Sequence, residues 1–190
     1  MIETLGESKV KQMLSSFSCP YNRDIEDFLK NKAMVFSEQS LSKTHLVYAP
    51  HKGNPVLVGY FALAQKYIVI KKDSLSKRLR TRISKFATYD PELKQYCTSA
   101  YLIGQLSKNY TNGYDKLITG DELLKMATDK LSIIQQEIGG KIIYLECEDN
   151  ERLLEFYSQN GFVTFGKRNL EKDETELMEG KYLIQMLRYS

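Results

Sequence analysis

Metal-binding side chains are scarce in this sequence. Only two histidines occur, His45 and His51, and the three cysteines, Cys19, Cys97 and Cys147, are widely separated with no Cys-x-x-Cys spacing. That set does not suit a histidine-based metal centre or a zinc site, so no metal is expected. An odd number of dispersed thiols fits a reduced, cytoplasmic protein better than a disulfide framework. Long apolar runs are missing as well. The stretches 56–64 and 142–145 are strand length, far below the roughly 20 residues of a membrane span. The first eleven residues carry acids and have no apolar core, so no secretory signal is expected. There is no internal repeat, no low-complexity tract and no linker rich in Pro, Gly or Ser. No Gly-x-Gly-x-x-Gly follows a strand candidate, and Walker A, Gly-x-Ser-x-Gly and His-Glu-x-x-His sequences are absent. Rossmann dinucleotide sites and several large hydrolase and nucleotidase classes are thereby set aside.

What remains is an ordinary globular composition. A chain of 190 residues, 42% hydrophobic and 27% charged, is long enough for one well-buried domain and short for two, which predicts a single domain over 1–190. The net charge of +3 selects no partner. Its distribution is more informative: residues 71–85 hold seven bases (Lys71, Lys72, Lys77, Arg78, Arg80, Arg82, Lys85) against one acid (Asp73), seven minus one leaving +6. Such a cluster attracts phosphate-rich ligands.

Hydrophobic periodicity predicts helices over 7–16, 23–38 and the basic segment, where Leu75, Leu79, Ile83 and Phe86 recur at spacings of four, four and three. Pro91 is expected to end that helical region. A further helix is predicted over 120–136, stopped by Gly139-Gly140, and another over 150–159. Strands are predicted over 44–48, 56–70, 98–106, 141–147, 162–165 and 182–187, and the acidic stretch 171–179 reads as a solvated turn. This order gives a mixed α/β (α+β) sheet rather than a regular doubly wound repeat.

The segment Asn150-Glu151-Arg152-Leu153-Leu154-Glu155-Phe156-Tyr157-Ser158-Gln159-Asn160-Gly161-Phe162 carries the strongest functional signal. It presents a phenol in the last turn of a short helix, where it can act as an acid or pack in the core. The motif Asn, seven residues on a Tyr, then Gly-Phe resembles the C-terminal signature of the GNAT acyltransferases. The order of elements over 98–159 is similar to that family too, and the likeness covers roughly 17–187. It implies a GNAT fold, a twisted mixed sheet flanked by helices with two splayed central strands, and N-acetyl transfer from acetyl-CoA to a primary amine in a ternary complex. By the resemblance, Leu106, Ser107 and Lys108 at the end of the central strand pair with the pantetheine arm. Gly120, Asp121, Glu122 and Leu123 offer amides to the pyrophosphate, as helix N-termini do. Asn150 holds the pantetheine or caps its helix, and Tyr157 protonates the leaving thiolate.

The sequence departs from the family pattern at the pyrophosphate loop. Where the family reads Gln/Arg-x-x-Gly-x-Gly/Ala, this chain reads Asp115-Lys116-Leu117-Ile118-Thr119-Gly120, matching only at Gly120. Asn112-Gly113 adds a turn. Either the loop takes a longer path with Lys116 and Thr119 helping the phosphates, or coenzyme binding is weak. No acid lies on 98–106, so the candidate bases are Glu146 and Glu148, through water; the alternative for each is a solvated strand-end carboxylate. Cys147 reads as a buried thiol, since direct transfer needs no acyl-enzyme. A second resemblance, carried by Phe17-Ser18-Cys19, Asp24-Ile25-Glu26-Asp27-Phe28-Leu29, Lys32-Ala33 and Val58-Gly59-Tyr60-Phe61-Ala62-Leu63, is to the GNAT branch that includes toxins acetylating aminoacyl-tRNA. It implies tRNA contact through Lys77, Arg78, Arg82 and Lys85, whose alternative is plain solvated surface. A homodimer and a catalytically lapsed acetyl-CoA-binding module are the other expectations the resemblance leaves open.

Overall fold

The computed structural model describes residues 7–172, 174 and 180–189. The acidic stretch 171–179 therefore lies mostly outside the described residues. The chain opens with α1 (Glu7–Ser15), whose Val10 and Leu14 are buried. The Asn22 side chain then accepts from the Ile25 amide at 3.1 Å and starts α2 (Arg23–Asp27). Hydrophobic spacing predicts one regular helix as far as 38. Instead a π turn, Phe28–Lys32, separates α2 from α3 (Ala33–Glu38). The wider turn shifts the helical phase by a residue and carries the adjacent Phe28 and Leu29 into the core.

Strands β1 (Lys43–His51) and β2 (Asn54–Lys71) form a hairpin that pairs from Lys43 opposite Leu63 to His51 opposite Asn54, with a register shift between Val47 and Tyr48. The Ser76 hydroxyl caps α4 (Lys77–Ile83) by accepting from the Leu79 amide. A short strand, β3 (Thr88–Asp90), was not expected from sequence. It pairs with the start of β4 (Gln95–Lys108). The Asp90 carboxylate accepts from the Glu92 and Leu93 amides at 2.9 and 3.0 Å, so Pro91 sits in an Asx-type turn rather than at a helix end. Then come α5 (Gly120–Ile138), β5 (Ile142–Glu148), α6 (Glu151–Gln159), β6 (Val163–Asn169) and β7 (Tyr182–Tyr189).

The seven strands form one mixed sheet in the order β1-β2-β4-β5-β7-β6, with β3 beside β4. β4 and β5 pair in parallel, at Tyr101 with Ile143 and Leu102 with Tyr144. By contrast β5 pairs antiparallel with β7 along its whole length, from Ile142 opposite Tyr189 to Glu148 opposite Leu183.

The chain clusters into two compact units. Among the described residues the first comprises 7–64 with 104–127. Its core gathers Val10, Leu14, Phe17, Phe28, Leu29 and Leu57 around Tyr60, whose ring meets Phe17 edge-on at 5.1 Å and whose hydroxyl donates to the Ile25 carbonyl at 2.6 Å. The second comprises 65–103 with the described residues from 128 onward. Its core includes Ile68, Ile70, Ile83, Ile142, Tyr144 and Leu187. Among the described residues no helix is long and apolar enough to cross a membrane.

Candidate active site

In the first unit the end of β4 is held from several sides. Ser107 is buried, with its hydroxyl 3.0 Å from the Lys108 carbonyl and 3.4 Å from the Cys19 sulfur. Leu106 and Lys108 are half-buried. The Lys108 ammonium donates to the Asp115 carbonyl at 3.1 Å and lies over the Tyr110 ring. Asn109 follows, 1% exposed and fully employed. Its amide nitrogens donate to the Val58 and Leu57 carbonyls at 2.8 Å each, and its side-chain oxygen accepts from the Ser18 and Thr111 amides. Gly59 of β2 completes the packing: a Cβ there would stand 2.8 Å from the Ser107 carbonyl oxygen and 3.2 Å from a Leu123 methyl. The bare backbone lets β4 and the first turn of α5 close down on β2.

The loop to α5 does take the extra turn. Asn112 and Gly113 are both left-handed, at φ 53° and 74°, inside the helical turn Thr111–Leu117. α5 itself begins with a reciprocal capping box. The Thr119 hydroxyl accepts from the Glu122 amide at 3.1 Å, while the Glu122 carboxylate accepts from the Thr119 amide and hydroxyl at 2.8 Å each. Those bonds hold the Glu122 carboxyl below its usual range. The Leu123 amide goes to the Thr119 carbonyl at 3.2 Å. Of the four amides expected to face a pyrophosphate, those of Glu122 and Leu123 are thus engaged within the helix. The Gly120 amide lies outside the box, and Lys116 is exposed just before it.

In the second unit Asn150 is a true N-cap. Its side-chain oxygen accepts from the Arg152 and Leu153 amides at 3.0 and 3.4 Å. Seven residues on, Tyr157 is 8% exposed, edge-on to Phe156 and Phe162 at 5.0 and 5.8 Å. Its hydroxyl has no hydrogen-bond partner among the described residues. Burial, with a smaller contribution from Cys147, pushes the phenol well above its ordinary value. The neutral, proton-carrying form is the one this environment favours. Cys147 is buried with its sulfur 3.9 Å from that of Met186, and burial followed by the charges of Asp149 and Glu148 raises its thiol to about 12. It is a protonated core residue.

Glu146 is locked in a polar network. Its carboxylate receives the Arg168 guanidinium through three contacts of 2.7 to 3.0 Å, and it also accepts from the Tyr144 hydroxyl and from Gln185. Arg168 in turn binds Glu174 at 2.8 Å. Burial alone would raise the Glu146 carboxyl; Arg168 and Tyr144 outweigh it and hold the group below its ordinary range. Glu148, two residues on, is half-buried. On α4, Lys77, Arg78 and Arg82 are exposed, as is Lys85 just beyond its end, with the Arg82 guanidinium over the Tyr189 ring. Among the described residues no group of three or more His, Cys, Asp and Glu could hold a metal ion.

No family model matches the chain, and no curated protein matches it in sequence. Solved structures do match it in shape. A Tyr-to-Phe mutant of KacT aligns at a TM-score of 0.60 with 16% identity, over 90% of this chain and 85% of that one. AtaT complexed with acetyl-methionyl-tRNAfMet aligns at 0.60 with 15% identity, over 90% and 85%. An AtaT mutant bound to the C-terminus of the antitoxin AtaR and acetyl-CoA aligns at 0.58 with 12% identity, over 93% and 84%. The chain has the GNAT fold.

Within the GNAT fold, the residues singled out from sequence fall into two groups. Leu106, Ser107, Lys108, Lys116, Thr119, Gly120, Asp121, Glu122 and Leu123 all belong to the first unit, while Asn150 and Tyr157 belong to the second. The backbone at the end of β4, the Gly120 amide and exposed Lys116 suit an arm-and-phosphate ligand such as acetyl-CoA. The Asp121 and Glu122 carboxylates are the groups in that set that oppose one. Asn109 and Gly59 were missed. A lone Asn and a lone Gly in a strand have no periodic signature, and their roles depend on contacts about 50 residues away in the chain.

Proposed function

We propose that this single GNAT domain is an N-acetyltransferase acting in the cytoplasm, moving the acetyl group of acetyl-CoA directly to a primary amine in a ternary complex. The observation that carries the reading is Tyr157: a buried phenol, raised in pKa and without a hydrogen-bond partner among the described residues, in a helix capped by Asn150. A phenol so placed serves as a proton donor to a leaving thiolate. The backbone at Leu106, Ser107 and Lys108 would hold the pantetheine arm. Gly120 and Asp121, with Lys116, would hold the phosphates at the positive end of α5. Acetyl-CoA is present in structures of the neighbouring toxin AtaT, which supports the donor assignment.

The acceptor is a small amine, a protein amine or the amino group of aminoacyl-tRNA. The last is favoured by two observations: AtaT, similar over nine-tenths of this chain, was solved with acetyl-methionyl-tRNAfMet, and α4 with Lys85 just after it exposes four cations suited to a phosphate backbone. Radiolabelled acetyl-CoA offered with charged tRNA, a peptide with free amines and a polyamine tests this. Label on charged tRNA is expected, together with growth arrest on expression that Tyr157→Phe relieves. Coenzyme binding without transfer to any acceptor would instead identify a catalytically lapsed binding module.

A further inference from the structure

An ammonium acceptor must shed a proton before it can attack, and Glu146 is committed to Arg168. We infer that Asp24 is the carboxylate that receives the acceptor's ammonium and takes its proton, with Gln105 as its positioning residue; this rests on the acetyl-CoA reading above. If the phosphates sit at the start of α5, beyond Lys108, the pantetheine arm runs back along β4 over Lys108, Ser107 and Leu106. The thioester then emerges at Gln105. The Gln105 side-chain amide donates to Asp24 Oδ2 at 3.0 Å, joining residues 81 apart in sequence but within one compact unit. Both side chains are half-buried, reachable yet shielded.

Asp24 differs from the acids beside it. Glu26 is bound by Lys30 at 2.6 Å and by the Cys19 amide at 2.9 Å, and Asp27 by Asn31 at 2.8 Å and Lys32 at 3.1 Å. Those partners hold both carboxyls below their ordinary range. Asp24 is fixed only by a neutral amide, and its Oδ1 has no partner among the described residues. Its charge acts on Tyr60 of β2, where burial and then Asp24 raise the phenol. That hydroxyl already donates to the Ile25 carbonyl, so Tyr60 does not neutralise Asp24. Among the described residues the titratable groups facing Asp24 include Tyr60, which also senses Cys19, and Arg23, Glu26 and Asp27 share its helix.

The step balances as follows. The ammonium gives one proton to Asp24, which passes it to solvent, and the freed nitrogen lone pair attacks the thioester carbonyl. As the C–N bond forms and the C–S bond breaks, the leaving thiolate is protonated by a general acid. The second proton lost by nitrogen restores that acid through solvent, and the reaction releases one proton in all.

Asp24→Asn tests the assignment, using as acceptor whichever of the three amine classes the wild-type protein labels. Turnover is expected to fall at least about a hundredfold, the usual scale of general-base catalysis, with the acetyl-CoA Kd within about twofold. The residual rate should climb more steeply with pH than that of the wild type, because the amine must then deprotonate unaided; α-amino groups do so near about 7.7–8.0. Gln105→Leu should lower turnover about tenfold at unchanged coenzyme affinity, consistent with a lost positioning bond. Wild-type turnover in Asp24→Asn, or an equal loss of coenzyme binding and of melting temperature, overturns the assignment and leaves the acetyltransferase reading standing. A wild-type protein that binds acetyl-CoA but labels no acceptor, or binds none, overturns both.

Discussion

Tyr157 combines a buried ring with a hydroxyl that no described neighbour claims. Removing that hydroxyl should therefore cost little stability, because nothing is left unpaired. Tyr157→Phe is expected to lower turnover about a hundredfold or more, with acetyl-CoA affinity and melting temperature nearly unchanged. Turnover assays beside calorimetry check both parts. The raised phenol also fixes a sign. The neutral acid persists above its ordinary pKa of 10.0, so the rate should not decline between pH 7 and 10 through loss of this proton. Asn109 makes the opposite prediction. Its side chain satisfies three backbone groups, and Asn109→Leu should destabilise the protein by about 1–3 kcal/mol, read by denaturant unfolding. Tyr157 was legible because its neighbours in sequence form a motif. Asn109 and the Asp24–Gln105 pair were not, because only folding brings their partners together.

At the scale of elements, α5 caps itself with the carboxylate of Glu122, in the position where an anionic ligand is expected. Gln keeps the capping box and removes the charge. Glu122→Gln should thus tighten acetyl-CoA binding about twofold to fivefold, the scale of a charge at a helix end; unchanged or weaker affinity would place the phosphates elsewhere. Strands β5, β6 and β7 are tied by Glu146, Arg168 and Gln185. Arg168→Leu removes the nearer cation from a mostly buried carboxylate and leaves it Lys66 at 3.8 Å, a loss on the order of 3 kcal/mol. Because the folded-state pKa of Glu146 lies below 4.5, the pair's stabilisation is present above that pH. It is lost as pH falls through the depressed value. The wild type should therefore lose stability on acidification below about pH 4.5, and Arg168→Leu should lose less over the same window. The longer elements were readable from periodicity, while several short pieces were not. The π turn Phe28–Lys32 inserts a phase shift that a fixed 3.6-residue period cannot register. Strand β3 has three residues and depends on an Asx turn at Asp90 rather than on any apolar pattern.

For the molecule as a whole, the mixed sheet followed from the order of strands and helices in the sequence. The motif at 150–162 then narrowed that class to one fold. The basic charge on α4 is a property of this scale: if it meets RNA, binding of charged tRNA should weaken steeply with salt, and Arg78→Ala with Lys85→Ala should flatten that slope. The pyrophosphate loop was the least legible part, since only Gly120 keeps the family pattern and a self-capped α5 has no signature in composition. It is also where the account is most exposed. Isothermal titration of the wild-type protein with acetyl-CoA is the most direct test. The account predicts saturable binding of one coenzyme per chain; no heat of binding at millimolar acetyl-CoA would contradict it.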